Sequence, residues 1–247
     1  MKVCLVSVCI GDKYILQYNN LFKQFHATYA KKCGYDFKVI TDYLDTNWKH
    51  PDTICLQKQL ICCQEWAIEY DFIICLDCDI IINPNTPCLH DFYDFGDKIG
   101  VVNQSQPNLQ ARLVSQKHKG YEVTAKDYYK LKSNHDIETD HIINGGVMVW
   151  QPRKHKEFLK NVFYKYVKNQ INHPSKFHFE QSVIGYEIQT HEMHFFMSMK
   201  WNALWGNNKY YYNTMHNKGL TLQAFFNDNY LIHLAGHCDY HLINSLT

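Results

Sequence analysis

The feature that most constrains the fold is the stretch Phe72-Ile73-Ile74-Cys75-Leu76-Asp77-Cys78-Asp79-Ile80-Ile81-Ile82-Asn83-Pro84, an apolar run interrupted by two carboxylates. A run this short, bounded by Tyr70-Asp71 and Asn83-Pro84, reads as a buried central strand. The period of two along a strand sets Asp77 and Asp79 on one side of the backbone, near its end. Two carboxylates held that close repel unless a cation sits between them. Carboxylate oxygens suit magnesium, manganese or calcium better than softer metals. An Asp-x-Asp at the carboxyl edge of an α/β sheet therefore points to a metal that holds phosphate groups.

Strand and helix signals alternate around this stretch. Val3-Cys4-Leu5-Val6-Ser7-Val8-Cys9-Ile10 reads as a first strand, being too short for a membrane span and without a secretory signal's basic region or cleavage pattern. Tyr14, Tyr18, Leu21, Phe22, Phe25 and Tyr29 recur at helical spacing, with Cys33-Gly34 as the end of that helix. Phe37 to Thr41 is a second strand, Ile54 to Ile68 a helix, and Lys98 to Asn103 a further strand. After a polar stretch from Gln104 to His141, Ile142-Ile143-Asn144-Gly145-Gly146-Val147-Met148-Val149-Trp150 reads as a turn feeding a strand. Phe158, Leu159, Val162, Phe163, Tyr166 and Val167 mark an amphipathic helix. This order implies an α/β fold with a mostly parallel central sheet flanked by helices, ligands lying at the carboxyl ends of the strands.

At 247 residues and 46% hydrophobic, the chain fits one domain, residues 1–247, better than two small ones. Within it, 104–141 reads as a polar surface insertion between two halves, 1–103 with the Asp-x-Asp and 142–247. A formal charge of +1 argues against a nucleic-acid partner. Ten cysteines are present, and Cys4, Cys9, Cys62, Cys63 and Cys75 lie inside apolar runs. Buried free thiols in a reducing compartment are the simplest account, making a cytoplasmic location without stable membrane insertion the expectation. Cys75-Leu-Asp-Cys78 has the Cys-x-x-Cys spacing, but no second pair follows at zinc spacing.

Near the carboxyl end, Tyr230-Leu231-Ile232-His233-Leu234-Ala235-Gly236-His237 places an imidazole after another short apolar run. His233 alone reads first as a hydrogen-bonded structural histidine, with a ligand to a carboxylate-bound metal as the alternative. With the other pieces it acquires a context. Ile10-Gly11-Asp12-Lys13-Tyr14, Asp77-Cys78-Asp79, Asn144-Gly145-Gly146, Glu180-Gln181-Ser182 and His233-Leu234-Ala235-Gly236 follow one another across almost the whole chain. In this order they resemble the retaining glycosyltransferases of the GT-A fold. That group includes glycogenin-like enzymes, xyloglucan xylosyltransferases and fungal α-galactosyl- and α-mannosyltransferases.

The resemblance implies a single GT-A, Rossmann-like domain, with 1–103 as its nucleotide-binding half and 142–247 as its sugar- and acceptor-binding half, Mn2+ or Mg2+ as cofactor, a UDP-sugar as donor and a carbohydrate as acceptor. It implies that Asp77, Asp79 and His233 would hold the metal, Asp77 also contacting the ribose. Val6, Ser7 and Val8 would line the base pocket through backbone groups, and Tyr14, Gly236 and His237 would also face the donor. Asn144, Gly145, Glu180 and Gln181 would face the transferred sugar, with Lys58 as a cation near the donor. A solvated helix lysine is the plain alternative for Lys58, and a surface acid at a helix start the plain alternative for Glu180. Two departures stand out. Asp239 occupies the place of a diphosphate-gripping lysine, so His237, His241 or Lys200 would have to supply the charge, and Glu180-Gln181 replaces the usual Asp-Gln.

The aromatic stretch Trp201-Asn202-Ala203-Leu204-Trp205, with Tyr210, Tyr211 and Tyr212, serves either as core or as flat faces for an acceptor sugar. Rival functions are an inverting transferase with Glu180 as general base, a nucleotidyltransferase, and a sugar- or zinc-binding module suggested by fifteen His and ten Cys. A nucleotidyltransferase would carry a Gly-rich basic loop after its first strand, for which Gly11-Asp12-Lys13 is too sparse.

Overall fold

The computed structural model describes residues 1–104, 124–216, 219–236 and 239–246. The elements are β1 (Val3–Val8), α1 (Asp12–Leu21), α2 (Lys23–Cys33), β2 (Asp36–Ile40), α3 (Ile54–Gln57), β3 (Phe72–Leu76), β4 (Ile80–Ile82) and α4 (Leu89–Phe92). They continue with β5 (Ile99–Asn103), α5 (Ala125–Ser133), β6 (Ile143–Trp150), α6 (Pro152–Gln170), α7 (Phe177–Thr190) and β7 (His194–Met197). The chain then adds β8 (Ala203–Leu204), α8 (Trp205–His216), α9 (Leu222–Asp228) and β9 (Leu231–His233). A six-stranded sheet runs β2-β1-β3-β6-β5-β7, and a three-stranded sheet runs β4-β9-β8.

All strands of the larger sheet point one way except β6, which is antiparallel to both β3 and β5. Strand alternation sorts the core into two layers. Cys4, Val6, Ile73, Cys75, Met148 and Trp150 face α6 and α7, whereas Val3, Leu5, Ile74, Leu76, Val147 and Val149 face α2 and α4. A third cluster, with Ile81, Ala203 and Ile232, packs the small sheet against α1, α8 and α9.

Three expectations change. The helix expected through Phe22 is two helices, broken at Phe22, and the second ends on Gly34 with φ +66°, where a residue without Cβ fits best. The helix expected from Ile54 to Ile68 is the short α3 followed by 3-10 turns at Lys58–Cys63 and Glu65–Glu69. Residues 56–62 are all buried, so the segment has no solvent face, and packing against the sheet and α6 overrides the α-helical period. Asn144-Gly145-Gly146 lies inside β6 and is not a turn before it.

The cysteines are not all free. Cys33, at the end of α2, is disulfide-bonded to Cys88, just before α4. The bond departs from the reading of buried free thiols. Cys4, Cys9, Cys62 and Cys75 are buried thiols as expected. Most of the polar insertion, residues 105–123, lies outside the described residues; its end forms α5, packed on α7. Among the described residues no helix is long and apolar enough to cross a membrane.

Candidate active site

The site is assembled by strand pairing. Asp77 follows β3, and its backbone N–H donates to the Gly146 carbonyl of β6 at 2.8 Å. Because β6 runs antiparallel, its amino-terminal residues Asn144, Gly145 and Gly146 lie at the edge where β3 ends. In the small sheet, Ile80 pairs with His233, and the Leu234 N–H donates to the Asp79 carbonyl at 3.0 Å. The register of β4 against β9 therefore sets the imidazole beside the residue preceding Ile80. Leu204 pairs with His233 from the other side, which brings Asn202 alongside.

The result is a cluster in which one ligand atom each from Asp77, Asp79 and His233 lie within 4.8 Å of one another. His233 Nε2 is 3.1 Å from Asp79 Oδ1 and 3.8 Å from Asp77 Oδ2. The cluster is open on its acidic side: the Asp77 and Asp79 side chains are 35% and 18% exposed, against 6% for His233. Burial works against the His233 imidazolium, but Asp79 and then Asp77 outweigh it and hold its pKa above the ordinary value. Two carboxylates and an imidazole with converging donor atoms fit a hard divalent cation.

Lys58 closes the other side of Asp77. Its Nζ donates to Asp77 Oδ1 at 3.3 Å and to the Gly145 carbonyl at 3.0 Å, and lies 3.2 Å from Glu180 Oε1. Lys58 is buried, so it is no solvated lysine, and Glu180 is buried in the first turns of α7, so it is no surface acid. Burial penalises the Lys58 ammonium, but Asp77 and Glu180 hold its pKa well above the usual lysine range. Burial pushes Glu180 up to about 7, with Lys58 opposing.

Amides line the third side. Asn144 Nδ2 donates to Gln181 Oε1 and to Gln104 Oε1, each at 3.1 Å, and Gln181 Nε2 donates to the Tyr128 hydroxyl at 2.8 Å. Asn202 Nδ2 donates to Asn144 Oδ1 at 2.7 Å, and Asn202 Oδ1 lies 3.0 Å from His233 Nδ1.

Of the remaining sequence-derived residues, Val6 and Ser7 are buried in β1 and Val8 is half-buried at its end. Tyr14 sits on α1, packed against the third core cluster, and Gly236 is exposed in the turn after β9 with φ +80°. His237 lies outside the described residues. Trp201 and Trp205 are buried core, which removes them as acceptor platforms; Tyr212 is exposed on α8. Asp239 accepts from Trp205 Nε1 at 2.7 Å and from Lys209 Nζ at 2.6 Å, so among the described residues Lys209 is a cation held at this loop.

Sequence reasoning passed over Asn202, Gln104, Tyr128 and Lys209 as site residues. Neutral amides and a phenol carry no charge pattern or metal spacing to mark them. The one usable signal was a polar Asn between buried aromatic residues at Trp201-Asn202.

No protein-family profile matches the sequence, and no curated protein sequence matches it. Solved structures do match. A glycosyltransferase involved in glycosylation of the major capsid of PBCV-1 aligns over 99% of this chain and 98% of its own, at 15% identity and TM-score 0.60. The galactosyltransferase LgtC, solved with donor and acceptor sugar analogues, aligns over 99% and 96%, at 13% identity and TM-score 0.57. The glycosyltransferase GlyE of Streptococcus pneumoniae TIGR4 aligns over 99% and 60%, at 12% identity and TM-score 0.57. The chain thus has the mixed α/β fold of the GT-A glycosyltransferases, end to end.

Proposed function

We propose that the protein is a metal-dependent glycosyltransferase that moves a hexosyl or pentosyl group from a UDP-sugar to a carbohydrate hydroxyl, with retention of anomeric configuration. The observation that carries this reading is the Asp77/Asp79/His233 cluster, open on its carboxylate side, at the carboxyl edge of a sheet with the glycosyltransferase fold. Asp77, Asp79 and His233 would hold Mn2+ or Mg2+. When bound, such an ion neutralises charge building on a departing diphosphate. The end of β1, at Val6, Ser7 and Val8, with Tyr14, Gly236 and His237, would receive the nucleotide.

On the sugar side, Asn144 and Gln181 offer oriented amides, and Gly145 leaves room beside Lys58 because it has no Cβ: an added one would stand 3.1 Å from Lys58 Nζ. These groups would fix the ring and stabilise its developing positive charge. The Lys58 ammonium holds Asp77 in place without blocking its Oδ2. Geometry disfavours Glu180 as the general base of an inverting route, since its carboxylate is buried against Lys58. A front-face route, in which the departing phosphate deprotonates the acceptor, uses no such base.

The test is incubation with a panel of UDP-sugars with and without Mn2+, measuring UDP release, then NMR of the glycoside formed. Manganese-dependent release with the donor's anomeric configuration retained in the product supports the reading. Pyrophosphate release from a nucleoside triphosphate would instead mark a nucleotidyltransferase, and tight zinc without nucleotide binding a binding module.

A further inference from the structure

A chain of hydrogen bonds runs from the proposed cation site to the proposed sugar site, and its direction is fixed by one backbone group. The Gly146 N–H lies 2.9 Å from the Asn144 side chain. A backbone N–H can only donate, so the Asn144 atom facing it is the carbonyl oxygen Oδ1. That same oxygen is 2.7 Å from Asn202, which must present its Nδ2 donor there. The Asn202 oxygen is then the atom 3.0 Å from His233 Nδ1. An amide oxygen only accepts, so Nδ1 carries the hydrogen, and Nε2 is the nitrogen left for a cation. Nε2 is also the atom that faces Asp79 and Asp77. At the other end, Asn144 Nδ2 donates to Gln181 Oε1, and Gln181 passes the same polarity on to Tyr128.

We infer that Asn202 is a positioning residue. Its amide holds His233 in the form that presents Nε2 to a divalent cation and, through Asn144, orients Gln181 toward the sugar. The inference rests on the glycosyltransferase reading and adds to it a device joining the two halves of the site. Asn202 is buried and short, and it accepts on one side while donating on the other. Leucine of similar size does neither. Aspartate can only accept, which serves His233 but sets an oxygen against Asn144 Oδ1.

The test uses Mn2+ alone as probe, titrated into the nucleotide-free protein and followed by the electron paramagnetic resonance of free Mn2+. It is paired with steady-state kinetics of UDP release from the best donor at saturating Mn2+. Asn202→Leu should weaken Mn2+ binding about 10- to 100-fold, as loss of a ligand's outer partner does. Asn202→Asp should hold Mn2+ within about threefold of wild type, because its carboxylate still takes the Nδ1 hydrogen, yet lose about tenfold or more in kcat. Packing alone would not separate affinity from turnover in this way. Should Asn202→Leu fail to fold, the split in Asn202→Asp still decides. Wild-type affinity in Asn202→Leu, or Mn2+ binding as poor in Asn202→Asp as in Asn202→Leu, overturns the inference while leaving the wild-type reading intact. Absence of Mn2+ binding by the wild type, with UDP added as well as without it, overturns both.

Discussion

Two buried imidazoles, His26 and His233, sit on opposite sides of one residue, Ile80, and have opposite chemistry. His26 Nε2 bonds to the Ile80 carbonyl at 2.8 Å, while Ile80 pairs with His233 across β4 and β9. The carbonyl accepts, so His26 carries its hydrogen on Nε2, and its Nδ1 lies 3.0 Å from both the Ser7 and Tyr18 hydroxyls. Burial prevails over the Ile80 carbonyl and the Asp79 charge, neither of which offsets it, and the pKa falls to about 4. His233 is just as enclosed, yet Asp79 and Asp77 raise it. Burial is common to both; the carboxylates make one a structural knot beneath the sheets and the other a member of a site.

The comparison breaks most sharply at Asp79. Asp79→Asn removes a carboxylate in direct contact with His233, whereas His26 feels that charge only as a minor influence beneath its burial. It should lower kcat by about 10³ or more, roughly 4 kcal/mol of barrier, while the midpoint of thermal unfolding moves by only a few degrees. Equal loss of activity and stability would erase the distinction.

A pH titration of stability probes the other histidine. Folded His26 binds its proton near 4, and an unfolded histidine near 6.5. Between these values the unfolded chain takes up a proton that the native state refuses. The His26 contribution is therefore fully present above about pH 6.5, falls as pH drops toward 4, and is flat below. Of a full loss of about 3 kcal/mol, roughly 2 kcal/mol falls between pH 7 and pH 4.5, measurable by urea unfolding at those two values. That share of the pH dependence should be missing in His26→Gln, while the shares of Glu180 and the other buried histidines remain.

A smaller effect sharpens the link between backbone and site. A Cβ on Gly146 would lie 2.5 Å from His233 Cε1 and Nδ1, and 3.0 Å from Asn144 Oδ1. Gly146→Ala should cost about 2 kcal/mol by overpacking and weaken Mn2+ binding, with the His26 titration unchanged. Calorimetry and metal titration on the one variant check both statements.

Much of this contrast was legible in the sequence, for identifiable reasons. Apolar runs placed β1, β3 and β5, and the spacing from Phe158 to Val167 placed α6. Paired carboxylates at a strand end pointed to Asp77 and Asp79, the resemblance added His233, and the fold brings the three together. Hidden were features set by tertiary contact. The 3-10 turns after α3 follow from burial on every side, and the antiparallel sense of β6 is not written in its composition. Asn202 reads from the sequence only as part of the Trp201–Trp205 stretch, because an amide bonded to an amide leaves no mark of its role in one dimension. The Cys33–Cys88 bond joins residues 55 positions apart that no spacing rule pairs.

The central claim is that Asp77, Asp79 and His233 grip one divalent cation against a nucleotide diphosphate. The most direct measurement is Mn2+ binding by electron paramagnetic resonance, with and without UDP, in the wild type and in Asp79→Asn. The account predicts one Mn2+ per chain, bound more tightly when UDP is present, and no such site in the variant. Wild-type protein that leaves Mn2+ free in the presence of UDP, or a variant that binds it equally well, would contradict the account.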